Sequence, residues 1–366
     1  MSVNVLFIDD DMFMLKALLR VSRRLEANWQ FFSCDTPLHW QASLQHQQPD
    51  IVVCDYLMPG CNGDELLEQI RQQYPQTLRV LLTGDMTEEV FRAASQCAHY
   101  VLAKPYSEND LQAVFDCWRR LSLLPVPAPL RATLSGGVTI APLPAVVRAL
   151  RRLLAEEQVD LPKVADLLAH EPVIPARLFQ LANSAFLGFQ RPTHSMIECL
   201  KRLGTHLVEA VVTMMAVEHS MMFDPVLQRQ INEKAFKKAM ISRTLAQAAG
   251  MNNEQQEQVF IASVLSAIGP LAMLVCKEPP LPATMGGFRS RDLLGRYLLT
   301  LWGYPQALIQ LLADSEKADY QHYGDPVLVL ALAGFITQGV SADYLQQMAG
   351  LIHNESLKQC LLHWPV

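Results

Sequence analysis

Residues 51–55 read Ile-Val-Val-Cys-Asp: four apolar residues in a row, closed by a carboxylate. A run without polar alternation suits a strand covered on both faces, the habit of parallel sheets. Similar runs stand on either side, at Val5-Leu-Phe-Ile8, Trp29-Gln-Phe-Phe32, Val80-Leu-Leu82 and Tyr100-Val-Leu102. Segments of helical pattern separate them, near 12–25, 37–46, 63–73, 87–96 and 108–121. Repeated strand–helix units predict a (βα)5 doubly wound parallel sheet with helices on each face. Ligands of such sheets gather at the carboxyl ends of the strands.

Those ends carry the chemistry. Asp9, Asp10 and Asp11 follow the first strand, Asp55 the third, Thr83 the fourth and Lys104-Pro105 the fifth. Crowded carboxylates repel, and a hard divalent cation relieves them; Mg²⁺ takes all-oxygen ligands of this kind. A nucleophilic carboxylate, a cation, a Lys and a hydroxyl are what phosphoryl transfer to an aspartate requires.

The composition sets bounds on function. The 366 residues are 50% apolar and 18% charged, enough for two globular domains. Residues 1–122 hold 10 Lys/Arg against 16 Asp/Glu and the remainder holds 20 of each, so neither part is basic. Nucleic-acid binding lacks an electrostatic footprint. The pairs Lys237-Lys238 and Arg151-Arg152 read as solvated helix faces. Eight scattered cysteines without a CxxC, and no secretory signal, predict a reduced, cytoplasmic protein. The uncharged run Val259–Cys276 touches the transmembrane length. Gly269-Pro270 breaks it, so a buried core helix is expected and no membrane span.

Between 123 and 144 lie Pro125, Pro127, Pro129, Pro142 and Pro144 with Gly136-Gly137 in the middle, predicting a semi-rigid spacer. From 142 onward the apolar period is 3.6, as at Val147, Leu150, Leu153 and Leu154, and the second part reads as all-helical. The expected layout is 1–122, 123–141 and 142–366. Two helical stretches are expected at the end, Tyr344 to Leu351 and Leu357 to Leu362. Met214, Met215, Met221 and Met222 read as plastic core. Asn183 and Ser184 read as a cap against a turn at Gly188, and His194, His206 and His219 as structural residues.

The strings Val5-Leu-Phe-Ile-Asp-Asp-Asp11, Asp55-Tyr-Leu-Met-Pro-Gly60, Leu82-Thr-Gly84 and Ala103-Lys-Pro105 resemble the response-regulator receiver family across residues 1–122. The resemblance implies that Asp55 accepts phosphate from a sensor histidine kinase or a small phosphodonor. It implies Mg²⁺ held by Asp9, Asp10, Asp55 and the Leu57 carbonyl, with Lys104 and Thr83 on the phosphoryl oxygens. Leu57 and Asp85 would tune its loss to water. One departure stands out. The aromatic expected three residues before the strand-5 Lys is Val101, and Tyr100 beside it should face the other side of the strand.

Residues 142 to about 340 resemble the HDOD family, helical relatives of HD-type metal-dependent phosphohydrolases. The strings are Pro142-Leu-Pro-Ala-Val-Val147, Glu171-Pro172, Leu181-Ala-Asn-Ser-Ala-Phe186, Ser195–Gly204 and Leu301-Trp-Gly-Tyr-Pro305. Phe260–Gly269 sits where active relatives carry a His-Asp pair, and Ser266 and Ala267 occupy those positions. Neither ligates a metal as His and Asp do. The leading expectation is a two-component (phosphorelay) response regulator that is not an enzyme. Its HDOD-type output domain acts by protein–protein interaction, and the receiver acts either by forming a phosphorylation-dependent homodimer or by releasing the second domain. The alternatives are a cyclic-dinucleotide phosphodiesterase of HD type and a nucleotide-binding regulator without hydrolysis.

Overall fold

A computed structural model of the chain describes residues 3–84, 97–136, 145–169, 173–182, 193, 195–220, 225–276, 282–316 and 325–364. They form two compact units, divided close to residue 145.

In the first unit β1 (Asn4–Ile8), β2 (Gln30–Cys34), β3 (Ile51–Asp55), β4 (Leu78–Thr83) and β5 (Tyr100–Ala103) make one sheet in the order β2-β1-β3-β4-β5. All its pairings are parallel. The strand order reverses at β1 and β3, so a crevice opens at their carboxyl ends. The strands alternate as side-chain period demands. Leu6, Ile8, Val52 and Cys54 pack with Leu66, Leu67 and Ile70 of α3 (Gly63–Gln73). Phe7 and Phe31 face the other way, their rings 6.2 Å apart, and Phe31 meets Phe115 of α4 (Glu108–Ser122).

The helices begin where capping side chains satisfy free N–H groups, each such cap being worth about 1 kcal/mol. Asp11 accepts from Phe13 and Met14 at the start of α1 (Met12–Leu25). Ser107 and Asp110 close a capping box at the start of α4. The helix expected at 37–46 is reduced to a 3₁₀ turn, Pro37–His39, and the short α2 (Trp40–Ser43). Gln45 and His46 then take positive φ, which stops it. The helix expected at 87–96 lies outside the described residues.

The expected spacer holds a helix, α5 (Ala128–Gly136). Pro129 falls in its first turn, where a missing N–H costs nothing. Val126, Leu130 and Leu134, four residues apart, are all buried. The wholly buried Arg79 of β4 reaches α5 and donates from Nη2 to the Ser135 carbonyl at 2.7 Å. A cation at carbonyls left free at a helix end is favourable. The prolines had suggested stiffness alone; the i, i+4 apolar spacing between them was the stronger signal.

The second unit is helical. Its first helices are α6 (Ala145–Leu154), α7 (Leu161–Ala169), α8 (Val173–Ala182), α9 (Met196–Leu203) and α10 (Thr205–Ser220). Then come the long α11 (Pro225–Ala248), α12 (Asn253–Leu265), α13 (Ile268–Val275), α14 (Ser290–Leu301) and α15 (Gln306–Ser315). The last are α16 (Asp325–Gln338), α17 (Ala342–Gly350) and α18 (Glu355–Leu362). One core joins Leu245 of α11, Val259 of α12, Leu332 of α16, Leu345 of α17 and Leu357 of α18, so the final two helices belong to the domain. Asn354 fixes their approach. It caps α18 through Leu357 N and donates from Nδ2 to the Ala249 carbonyl and Asp325, each at 3.0 Å.

Asn253–Leu274 has the length and composition to cross a membrane, but most of it is buried inside the protein. Met214 and Met215 are core residues, while Met221, Met222, Asn183, Ser184, Gly188, His194 and the His219 side chain fall outside the described residues. His206 is exposed, 3.8 Å from Glu257. The helical stretch also carries a two-stranded hairpin, Thr284–Met285 with Phe288–Arg289. Gly286 and Gly287 make its turn at φ 54° and 82°, the positive angles a two-residue hairpin turn requires.

Candidate functional site

β1 ends at Ile8, and Asp9 follows with its carboxylate almost wholly buried. Asp55 closes β3 with 8% of its surface exposed. One carboxylate oxygen each from Asp9, Asp10 and Asp55 lie within 4.8 Å of one another. Among the described residues this is the one group of three or more His, Cys, Asp or Glu placed to share a metal ion. The Asp9–Asp11 run therefore splits by role. Asp9 and Asp10 join Asp55, whereas Asp11 turns back to cap α1.

Lys104 follows β5 and bridges the two buried carboxylates, its Nζ 2.8 Å from Asp55 Oδ1 and 3.1 Å from Asp9 Oδ2. Burial lowers the Lys104 pKa, but both carboxylates outweigh it and the net shift is upward. Asp55 is also shifted up: burial is the largest cause, Lys104 opposes it, and the Asp9 charge adds to it. One ammonium thus leaves the carboxylates under-neutralised, so the donor set suits a further hard cation. Thr83 is buried at the end of β4, and its carbonyl accepts from Lys104 N at 2.7 Å. Leu57 lies two residues past Asp55, its side chain 62% exposed.

Two contributors carry no motif signal. A β-carbon on Gly63 would stand 2.0 Å from the Asp55 carbonyl oxygen, so only glycine lets α3 start against the Asp55 backbone. The Gly63 amide donates to Tyr56 O at 2.8 Å in the same approach. Tyr106 lies just past Lys104-Pro105, its hydroxyl 3.0 Å from Met14 Sδ. Burial pushes that phenol up to about 12. Tyr100 and Val101 face opposite sides, as the strand period requires. Tyr100 is hydrogen-bonded with Cys117 of α4, and Val101 packs with the α3 cluster. Asp85 lies outside the described residues.

In the helical unit Ser266 and Ala267 border a cavity of about 440 Å³ between α11, α12–α14 and α16. Two basic residues expected on solvated faces are not there. Lys238 is buried beside that cavity. Arg151 is largely withdrawn, with Nε 2.6 Å from Glu209 and its guanidinium over the Tyr304 ring. Helical phase explains Lys238. Ala235, Ala239, Ser242 and Leu245 form the buried stripe of α11, and residue 238 falls within it.

The comparisons agree with this geometry. Residues 5–116 match the family model of the response regulator receiver domain, and residues 140–292 match that of the HDOD domain. The chain joins a response regulator receiver domain to an HDOD domain. The receiver is 35% identical over 107 residues to the phosphate regulon transcriptional regulatory protein PhoB of Rhizobium meliloti, covering 27% of this chain and 44% of that protein. It is 26% identical over 110 residues to the hydrogenase transcriptional regulatory protein HoxA of Cupriavidus necator, covering 30% of this chain and 22% of that one. The chain thus spans less than half of either curated relative. Among solved structures, the signal receiver domain of an HD domain-containing protein from Pseudomonas fluorescens is similar at 24% identity. It covers 32% of this chain and 93% of that one, with a TM-score of 0.29. A receiver domain protein from Clostridium thermocellum is 22% identical, covering 33% and 98%, with a TM-score of 0.31.

Proposed function

We propose that this response regulator takes a phosphoryl group on Asp55 and passes the signal through its HDOD domain by binding rather than by hydrolysis. The observation that carries the reading is the bridge from Lys104 to both Asp55 and Asp9 at the strand ends. An Asp55 carboxylate oxygen attacks the phosphorus of the donor, the donor's phosphorus bond breaks, and an acyl phosphate results. Lys104 is already placed to pair with the transferred oxygens. The Thr83 hydroxyl supplies the second contact, and its movement carries the change to β4 and β5. Asp9, Asp10, Asp55 and the Leu57 carbonyl would hold Mg²⁺, whose role when bound is to neutralise charge on the phosphoryl oxygens. Met12, Phe13 and Leu57 are exposed apolar side chains beside these strand ends, Phe13 at 83%. They suit the docking of a histidine kinase or another phosphodonor protein in the cytoplasm.

Non-catalytic output is supported by Ser266 and Ala267, whose side chains offer a metal no nitrogen or carboxylate donor. Labelling with acetyl phosphate and Mg²⁺ tests the first half. An acyl phosphate should map to Asp55 and be missing from Asp55→Asn; an unlabelled wild type would sink the reading. The second half is tested by capture on the full chain loaded with beryllofluoride and Mg²⁺, against Asp55→Asn treated identically. A partner held only by the loaded chain supports gated binding, and identical captures oppose it.

A further inference from the structure

The cavity beside Ser266 and Ala267 is more charged than a packing defect would be. Lys234, Lys238, Arg291 and Arg296 line it, with Asp292 and Glu316 as the acids. Each acid has an arginine within reach: Asp292 Oδ1 lies 3.3 Å from Arg291 and Glu316 lies 3.4 Å from Arg289, while Asp292 Oδ2 is buried without a partner among the described residues. No such pairing is available to the other cations among the described residues.

Lys238 is the decisive one. Only 9% of it is exposed, and among the described residues it makes neither a hydrogen bond nor an ion pair. An ammonium withdrawn from water without a direct ion pair costs free energy in general, and here only the more distant Glu316 and Asp292 charges offset it. Burial holds its pKa below the ordinary lysine value, with Glu316 and Asp292 pulling it back. Arg296 also lines the cavity. Its Nε and Nη1 are buried without a hydrogen-bond partner, while its guanidinium lies over the Phe288 ring at 4.8 Å.

The walls are rigid. A β-carbon on Gly295 would stand 3.1 Å from Gly269 N, and one on Gly269 would stand 2.1 Å from the Arg291 carbonyl oxygen. α13 and α14 therefore cross backbone to backbone, which fixes the helix that carries Arg291 and Arg296. The volume, about 440 Å³, is in the range of small-molecule sites.

We propose that this cavity is an oxyanion site that takes a small phosphate-bearing ligand, with Lys238 and Arg296 as its charged contacts. Phosphate fits better than a carboxylate because it offers several oxygens to cations brought to one cavity by two helices, α11 and α14, where a carboxylate would occupy a single fork. The inference rests on the non-hydrolytic reading of the HDOD domain and names what that domain binds.

The test uses the full chain carrying Asp55→Asn in EDTA, so that neither the phosphoacceptor nor a metal contributes. Orthophosphate, pyrophosphate and guanosine monophosphate are titrated by calorimetry, with sodium chloride at matched ionic strength as the control. Saturable binding is expected, weakened at least about tenfold by Lys238→Met or Arg296→Met, the effect of losing one charge-assisted contact. Lys238→Met without ligand should unfold no lower than its parent, because it removes an unpaired buried charge. Tighter binding of the nucleotide than of pyrophosphate would identify a nucleotide ligand; equal binding would identify free phosphates. A flat response to all three probes, or unchanged affinity in both variants, would overturn the proposal while leaving phosphorylation of Asp55 untouched.

Discussion

The α-carbon of Gly63 faces the carbonyl oxygen of Asp55 so closely that a β-carbon would stand 2.0 Å from it. The start of α3 is thereby held against the backbone of Asp55. Gly63→Ala must push the helix away or twist β3. Its melting temperature should fall by several degrees, as for a cost of about 1–3 kcal/mol. Phosphorylation by acetyl phosphate should slow beyond what the stability loss explains. A variant that melts and labels like the wild type would disprove the close approach.

Asp55→Asn should be at least as stable as the wild type in EDTA at neutral pH. The Asp55 carboxyl is shifted up by burial, against Lys104 and with Asp9, so its proton favours the folded state. That contribution is present below the ordinary carboxylate pKa and lost as pH rises through the raised one. Mg²⁺ should reverse the order by stabilising the wild type more than the variant. Differential scanning fluorimetry with and without the cation reads both.

Lys104→Met removes the only ammonium that an ion pair joins to Asp55 among the described residues. Phosphoryl transfer from acetyl phosphate should slow on the order of 10²-fold, the usual loss when one preorganised charge contact goes. Rapid-quench labelling measures it; a rate within twofold of wild type (roughly 0.4 kcal/mol) would remove Lys104 from the mechanism.

Arg79 donates to the carbonyls of Cys97, Thr77 and Ser135. Arg79→Leu leaves these acceptors, and the Pro75 carbonyl at 3.4 Å, without it, at about 1–3 kcal/mol for each well-made bond. A receiver ending at residue 122 should accordingly melt below one ending at 136, since the shorter piece loses α5. His99 makes the clamp sensitive to acid. Its Nδ1 accepts from Arg79 N at 3.0 Å, so Nε2 carries the proton and donates to Ser135 O at 3.2 Å. Burial and then the Arg79 charge hold its pKa well below the usual histidine value. Its contribution is therefore full above about pH 6.5 and declines below, by about 1.4 kcal/mol per pH unit. His99→Gln should flatten that decline in thermal melts; an unchanged slope would exclude His99.

Asp292 is pushed up to about 6, first by burial and then by Glu316, against Arg291. The stability it lends is whole below the ordinary carboxylate pKa and is lost as pH rises through about 6. Asp292→Asn should remove that loss, at most about 3 kcal/mol, less what Lys238 forfeits with an acidic neighbour gone. Denaturant titrations at pH values either side of that window would reveal it, and parallel curves would refute it.

Much of this molecule is legible in the chain. Five apolar runs, each closed by or followed by a chemically distinctive residue, specify the sheet and put Asp9, Asp55, Thr83 and Lys104 on one edge. That works because strand polarity and side-chain period are local rules. The change to a 3.6 period after residue 142 announces the helical domain in the same way. Local rules also misled. The prolines of 123–141 suggested a spacer although apolar residues at 126, 130 and 134 make α5, and Lys237-Lys238 looked like surface although only Lys237 is exposed.

What the sequence determined by itself is therefore the order of elements and the sheet edge that gathers Asp9, Asp55, Thr83 and Lys104. Tertiary structure decided the rest: Asp11 as a cap and Asp10 as a site member, Gly63 as the residue that lets α3 close on Asp55, and Arg79 as the hold on α5. It also turned a lone lysine in a helix stripe into the buried charge of a cavity. The reason is that a residue's environment is set by groups brought from far along the chain. An ammonium in an ion pair and one held in a cavity with acids beyond ion-pair distance have the same spelling but not the same energy.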